Sequence, residues 1–172
     1  LEWIRQSASG NSEAFRQLVL RHQSNVRGAL LRLTNFDKPR SDELAQEVFI
    51  LAYQKVSSFR FESSFATWLY RLTYNVYVDD HRRHRPRTVE AATPPVLSEN
   101  ERVDLRKTLN WAMARLREEE RVALTLVSMN EWTQEEAAKT MGLPLGTLKS
   151  HVSRGKEKLK EILIQCGWEV SL

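Results

Sequence analysis

The sequence predicts an all-α protein: two small helical domains joined by a flexible linker, the second containing a helix-turn-helix. Three observations predict it. Apolar residues recur at three- and four-residue intervals through most of the 172 positions, and no stretch alternates as a strand would. Residues 88–97, with Pro94-Pro95, two threonines and few large apolar side chains, interrupt that period as a linker does. Near the C-terminus, Thr133–Arg154 reads as two short helices around a tight turn. The expected domains are therefore residues 1–87 and 98–172.

Each element follows from local signals. Residues 1–9 are expected as a short helix marked by Trp3 and Ile4, stopped at Gly10, with Asn11 placed to cap the next. From Ala14 the positions Phe15, Leu18, Val19, Val26, Ala29, Leu30 and Leu33 keep a helical period. Residues 35–40, with Pro39, predict a turn, and Ser41 is expected to open the following helix. Its buried stripe would be Leu44, Ala45, Val48, Phe49, Ala52 and Val56, leaving Asp42, Glu43, Gln46 and Glu47 as a polar, acidic side. Acids in a first turn also suit the helix dipole, so that side alone assigns nothing.

Residues 57–64 read as a loop holding two phenylalanines and an arginine. Rings and guanidinium planes on a loop are surfaces on which extruded bases stack, although the loop taken alone favours both rings tucking into the core. The next helix, about Phe65 to Arg83, would bury Phe65, Trp68, Leu69, Leu72 and Val76. Its other side would carry Thr67, Tyr70, Arg71, Tyr74, Asn75, Val78, Asp79 and Arg82. Arg71, Asn75, Asp79 and Arg83 recur every four residues and share one surface. The run Asp79–Arg87 then becomes strongly basic and contains Pro86. Aromatics and amides before a cationic end suit a strand whose bases are read and whose phosphates are held.

The second domain is expected to open at Ser98, with Glu101 completing a capping box and Leu105, Leu109, Ala112 and Leu116 as its stripe. A helix at about Glu118–Met129 precedes the helix-turn-helix. There Thr133 and Glu136 form a second capping box, Gly142 suits a left-handed helix stop, and Pro144 follows it. Leu148, Val152 and Leu159 share one face of the last helix, while Thr147, Lys149, Ser150, His151, Ser153 and Arg154 lie elsewhere. In a helix-turn-helix such a second helix enters the major groove of DNA.

Bulk properties set bounds. Residues 1–88 hold 14 Lys and Arg against 9 Asp and Glu, whereas residues 89–172 hold 12 against 13, so the basic excess sits in the first half. Within the second half, acids at Glu118–Glu120, Glu135 and Glu136 precede the bases Lys149, Arg154, Lys156, Lys158 and Lys160. A segregated basic face can meet phosphates. No apolar run approaches the roughly 20 residues that span a bilayer, and no secretory signal pattern is present. Cys166 is the single cysteine, which excludes an intrachain disulfide and a cysteine-based zinc site and fits a reducing cytoplasm. The chain begins at Leu1 rather than methionine, so whether native residues precede it is left open.

Three stretches together resemble the extracytoplasmic-function sigma factors, the small two-domain members of the sigma-70 family. They are Asp42–Phe49 (Asp-Glu-Leu-Ala-Gln-Glu-Val-Phe), Ser63–Asn75 (Ser-Ser-Phe-Ala-Thr-Trp-Leu-Tyr-Arg-Leu-Thr-Tyr-Asn) and Gly146–Leu159. They occur in the family's order with a linker between the second and third, and the resemblance covers nearly the whole chain. It implies that Asp42, Gln46, Glu47 and Phe49 dock on the β′ coiled coil of RNA polymerase. It implies that Phe59, Arg60, Phe61, Ser63, Ser64, Arg71, Tyr74, Asn75, Arg82 and Arg83 meet the melted −10 element, with a flipped base held near Asn75. Capturing an unstacked base favours open DNA by mass action, without nucleotide hydrolysis. The resemblance further implies that Thr147, Lys149, Ser150, His151, Ser153 and Arg154 read the −35 element, and that the β flap is a second polymerase contact. An anti-sigma factor, often membrane-bound, is the implied regulator, acting on a cytoplasmic protein. No catalytic residue, metal, cofactor or small-molecule substrate is implied.

Four positions depart from the family pattern. Phe61 stands where glycine is usual, and His151 where arginine is frequent. Gly155 often corresponds to alanine and should cost the last helix about 1 kcal/mol. Arg117 replaces a frequent proline, which lets the preceding helix run on.

Two other classes compete. A regulator that binds duplex operators without polymerase needs only the second domain, and the basic, aromatic first domain argues against it. A nuclease would use Asp79-Asp80 with His81 or His84, but adjacent acids on a helix diverge and cannot share a metal. No Ser-His-Asp order, glycine-rich phosphate loop or metal-spaced histidine pair is present, and His22 reads as a surface or partly packed residue.

Overall fold

The computed structural model describes residues 2–84, 101–128 and 132–168. All regular structure among them is helical, and the chain divides into two compact units, Leu1–Arg87 and Thr88–Leu172. The expected linker 88–97, the opening at Ser98, Pro86 and its flanking arginines, Met129, and the side chains of Glu101 and Leu105 lie outside the described residues.

In the first unit, α1 (Glu2–Ala8) packs on α2 (Ser12–Leu33), and α2 packs on both α3 (Lys38–Lys55) and α4 (Phe65–Arg83). Asn11 caps α2 as its sequence position suggests, its side-chain oxygen accepting from the Ala14 N–H at 3.1 Å. The core is the meeting of three apolar stripes: Val26, Ala29, Leu30 and Leu33 on α2; Leu44, Ala45, Val48 and Ala52 on α3; Leu69, Leu72 and Val76 on α4. Burying the leucines and valines among them contributes roughly 1.5–3 kcal/mol each, and such tertiary packing is what holds the three helices together.

Two local expectations for this unit are corrected. Ser41 does not open α3. Asp37 does, accepting the Arg40 N–H at 3.0 Å, and Pro39 sits in the first turn, where its missing N–H is not needed. Ser41 is buried one turn later, its hydroxyl donating to the Lys38 carbonyl at 2.9 Å. Thr67 and Tyr70 do not share the open side of α4; both are buried. Thr67 is buried beside the N-cap Ser64, their hydroxyls lying 3.0 Å apart. Tyr70 faces Arg32, whose guanidinium is lowered from its ordinary range by burial and sustained by the tyrosine oxygen.

In the second unit, α8 (Leu145–Gln165) packs against α5 (Glu101–Met113), α6 (Glu118–Val127) and α7 (Gln134–Met141). Leu126, Ala123, Ala137 and Leu148 are fully buried where these helices meet. Of the expected α5 stripe, Ala112 and Leu116 are buried, whereas Leu109 is 39% exposed. Arg117 does not prolong α5, which stops at Met113. With φ −61° and ψ 152°, Arg117 takes the extended backbone a proline would favour and starts α6, its N–H donating to Glu120 Oε2 at 3.2 Å.

Candidate polymerase and nucleic-acid interfaces

The first surface lies on α3. Its buried stripe fixes the helix against α2 and α4, so the residues off the stripe face outward. Gln46 and Glu47 are exposed, Asp42 and Phe49 are half-buried, and Arg27 of α2 approaches Asp42 at 3.7 Å. Phe49 is therefore not a core residue in the sense its periodicity suggests. Ile50 and Tyr53, further along α3, are also exposed.

The second surface begins at the loop before α4. The two phenylalanines part company: Phe59 is buried against Phe65 and Trp68, with ring centroids 5.9 and 5.5 Å away, whereas Phe61 is 46% exposed. Phe61 rests on Phe59 at 4.8 Å and takes φ +59°, the left-handed region in which glycine is at ease. Ser64 caps α4, accepting the Thr67 N–H at 3.0 Å. Along α4 the four-residue series survives: Arg71, Asn75, Asp79 and Arg83 are all exposed, with Arg82 beside them and Tyr74 half-buried. A polar, cationic strip thus runs from the aromatic loop down one side of α4. Arg60 and Ser63 border its start, Arg60 exposed and Ser63 half-buried.

The third surface is the helix-turn-helix. Thr133 and Glu136 form the reciprocal box, with Glu136 N–H to Thr133 Oγ1 at 3.1 Å and Thr133 N–H to Glu136 Oε2 at 2.9 Å. Gly142 stops α7 at φ +66°. Leu148 and Val152 anchor α8, which leaves Thr147, Lys149, Ser150, Ser153 and Arg154 exposed and His151 half-buried. Ser150 donates to the Gly146 carbonyl at 2.9 Å, and Arg154 Nη2 lies 3.2 Å from His151 Nδ1. The positioning of this helix holds a feature that composition hides. A Cβ on Gly155 would lie 2.7 Å from Leu124 Cδ1 and 3.2 Å from its Cγ, so α6 leaves little room for a side chain at this point of α8. The glycine is a packing requirement rather than a flaw in the helix.

Comparison with known proteins follows the same division. Residues 18–87 match sigma-70 region 2, and residues 109–159 match sigma-70 region 4. The RNA polymerase sigma-H factor of Pseudomonas aeruginosa is 31% identical, covering 90% of this chain and 88% of that one. The ECF RNA polymerase sigma-E factor of Escherichia coli strain K12 is also 31% identical, over 87% of this chain and 86% of its own. The chain belongs to the extracytoplasmic-function sigma factors. A solved relative of this sigma factor is CnrH in complex with the cytosolic domain of CnrY; it is 26% identical, with a TM-score of 0.66 over 95% of this chain and 96% of that one.

The family supplies the class of activity: a sigma factor gives RNA polymerase its promoter specificity. Among the described residues of the sigma factor, no helix is long and apolar enough to cross a membrane. Its His, Cys, Asp and Glu side chains form no group of three placed to hold a metal ion within that same set.

Proposed function

We propose that this sigma factor divides its work among the three surfaces. Residues 1–87 bind core polymerase and the −10 element, residues 88–97 tether, and residues 98–172 bind the −35 element and the β flap. Asp42, Gln46, Glu47 and Phe49 of α3 form the contact with the β′ coiled coil. Phe61, on the support of Phe59, together with Arg60, Ser63 and Ser64, receives non-template bases, and Asn75 holds one of them flipped from the stack. Arg71, Tyr74, Arg82 and Arg83 follow the strand, the arginines on its phosphates. In the major groove of the −35 element, Lys149 and Arg154 donate to base edges or phosphates, flanked by Thr147, Ser150, His151 and Ser153.

The observation that carries this reading is the exposed series Arg71–Asn75–Asp79–Arg83 beside the exposed ring of Phe61, on a helix whose opposite side packs into the core. A duplex-only regulator has no use for such a strip. The protein itself performs no catalysis; opening is driven by binding free energy. It works in the cytoplasm, where an anti-sigma factor covers the same surfaces. That CnrH was solved in complex with the cytosolic domain of CnrY supports a protein partner of that kind here, and we infer that it holds this chain at the inner membrane. Run-off transcription with purified core enzyme, on promoters selected from genomic DNA by the reconstituted holoenzyme, tests the proposal. Specific transcripts that require this chain are expected; operator binding without any association with core would contradict it and favour the regulator reading.

A further inference from the structure

The first turn of α3 and the last turn of α4 each carry a charge that the helix dipole disfavours. Arg40 sits near the positive N-terminal end of α3, and Asp80 near the negative C-terminal end of α4. Neither charge suits its own helix, and each suits the other. Arg40 addresses Asp80 as a two-pronged fork, Nε donating to Oδ2 at 3.0 Å and Nη2 pairing with Oδ1. Its Nη1 donates to Glu43 Oε2 at 2.8 Å, and Nη2 also lies 2.8 Å from His84 Nδ1. His84 in turn lies 2.9 Å from Asp80 Oδ1. All three guanidinium nitrogens are engaged. The Asp80 side chain is only 13% exposed, so its charge has little water to screen it.

Arg82 and Arg83 project from the turn that this cluster secures. We propose that Arg40 is a positioning residue for promoter DNA: its fork fixes the final turn of α4 and cancels the Asp80 carboxylate that would otherwise repel the phosphates held by Arg82 and Arg83. The inference rests on the reading of α4 as the strand-binding helix. A planar, bidentate guanidinium sets an orientation that the point charge of a lysine does not. The same side chain reaches Glu43 on the acidic side of α3, so the polymerase-facing helix and the strand-facing helix share one clasp.

The test uses the full chain in holoenzyme on a promoter that the wild type opens. Open-complex formation is followed by permanganate reactivity across a salt series, alongside core affinity. Arg40→Ala is expected to lower opening several-fold and to reduce the slope of log K against log salt by about one, the share of one lost phosphate contact. Arg40→Lys is expected to stay impaired. Adding Asp80→Asn to Arg40→Ala is expected to restore most of the slope, because the uncompensated carboxylate is gone. A purely structural role would instead lower thermal stability and core affinity together, with no recovery in the double variant.

Unchanged opening in Arg40→Ala while Asn75→Ala is impaired would overturn this inference alone. Unchanged opening in both would overturn the strand-binding reading as well. Full recovery by lysine would overturn the positioning role of the fork.

Discussion

Gly155 of α8 faces Leu124 of α6 with too little room for a Cβ: an added one would lie 2.7 Å from Leu124 Cδ1. Intrinsic propensity favours alanine over glycine here by about 1 kcal/mol. Overpacking a filled contact costs about 1–3 kcal/mol and outweighs that gain. Gly155→Ala should therefore lower stability in urea unfolding of the full chain. In a Leu124→Ala background, where the obstructing methyl is absent, the same change should raise it. Stabilisation in both backgrounds would show that the contact yields without cost.

Phe61 offers a second test of backbone against side chain. Its φ of +59° costs an ordinary residue about 1–2 kcal/mol, and glycine nothing. Phe61→Gly and Phe61→Ala both lose the ring, so their difference isolates the backbone. Glycine is expected to be the more stable by about 1 kcal/mol, reversing the usual order of the two residues. Promoter opening should fall in both to a similar degree, since both lack the stacking face. Stability equal in the two variants would mean that the loop relaxes out of the left-handed conformation.

On α8, Lys149 and Arg154 are exposed beside the buried anchors Leu148 and Val152. Replacing either by alanine should reduce discrimination between the cognate and a mutated −35 element by about 1–3 kcal/mol where it contacts a base. It should lower the salt slope by about one where it contacts a phosphate. Binding across a panel of −35 variants separates the two contributions. An unchanged promoter preference and an unchanged slope in both variants would remove these side chains from the interface.

What could be read in the sequence was what neighbours in the sequence decide. The Thr133–Glu136 box, the Gly142 stop and the Asn11 cap are contacts within three or four residues, and each stands where its residue types place it. Periodicity located the stripes of α2 and most of α3 and α4. It erred where a competing local signal was equally good: Asp37 and Ser41 are both capping residues, and proline in a first turn reads as a break until its N–H is counted. Burial of Thr67 and Tyr70 depends on what packs across from α4, which no local period contains. The Gly155–Leu124 contact and the clasp of Arg40 with Asp80 join residues far apart in the chain. The signal that could have exposed the clasp is the misplacement of both charges relative to their helix dipoles.

In the candidate site the division is similar. The exposed series on α4 and the polar side of α8 follow from spacing alone, and the structure presents both. Which of the two loop rings is free to stack could not be settled by composition, because burial of Phe59 depends on Phe65 and Trp68.

The central claim is that α4 acts on DNA already unstacked, and Asn75→Ala measures it most directly. Closed-complex retention and permanganate reactivity of the −10 region are compared for wild-type and variant holoenzyme on one promoter. Losing the hydrogen bonds to a captured base should lower opening by roughly tenfold while closed-complex affinity changes little. Equal losses in both steps would contradict base capture and leave Asn75 as an ordinary duplex contact.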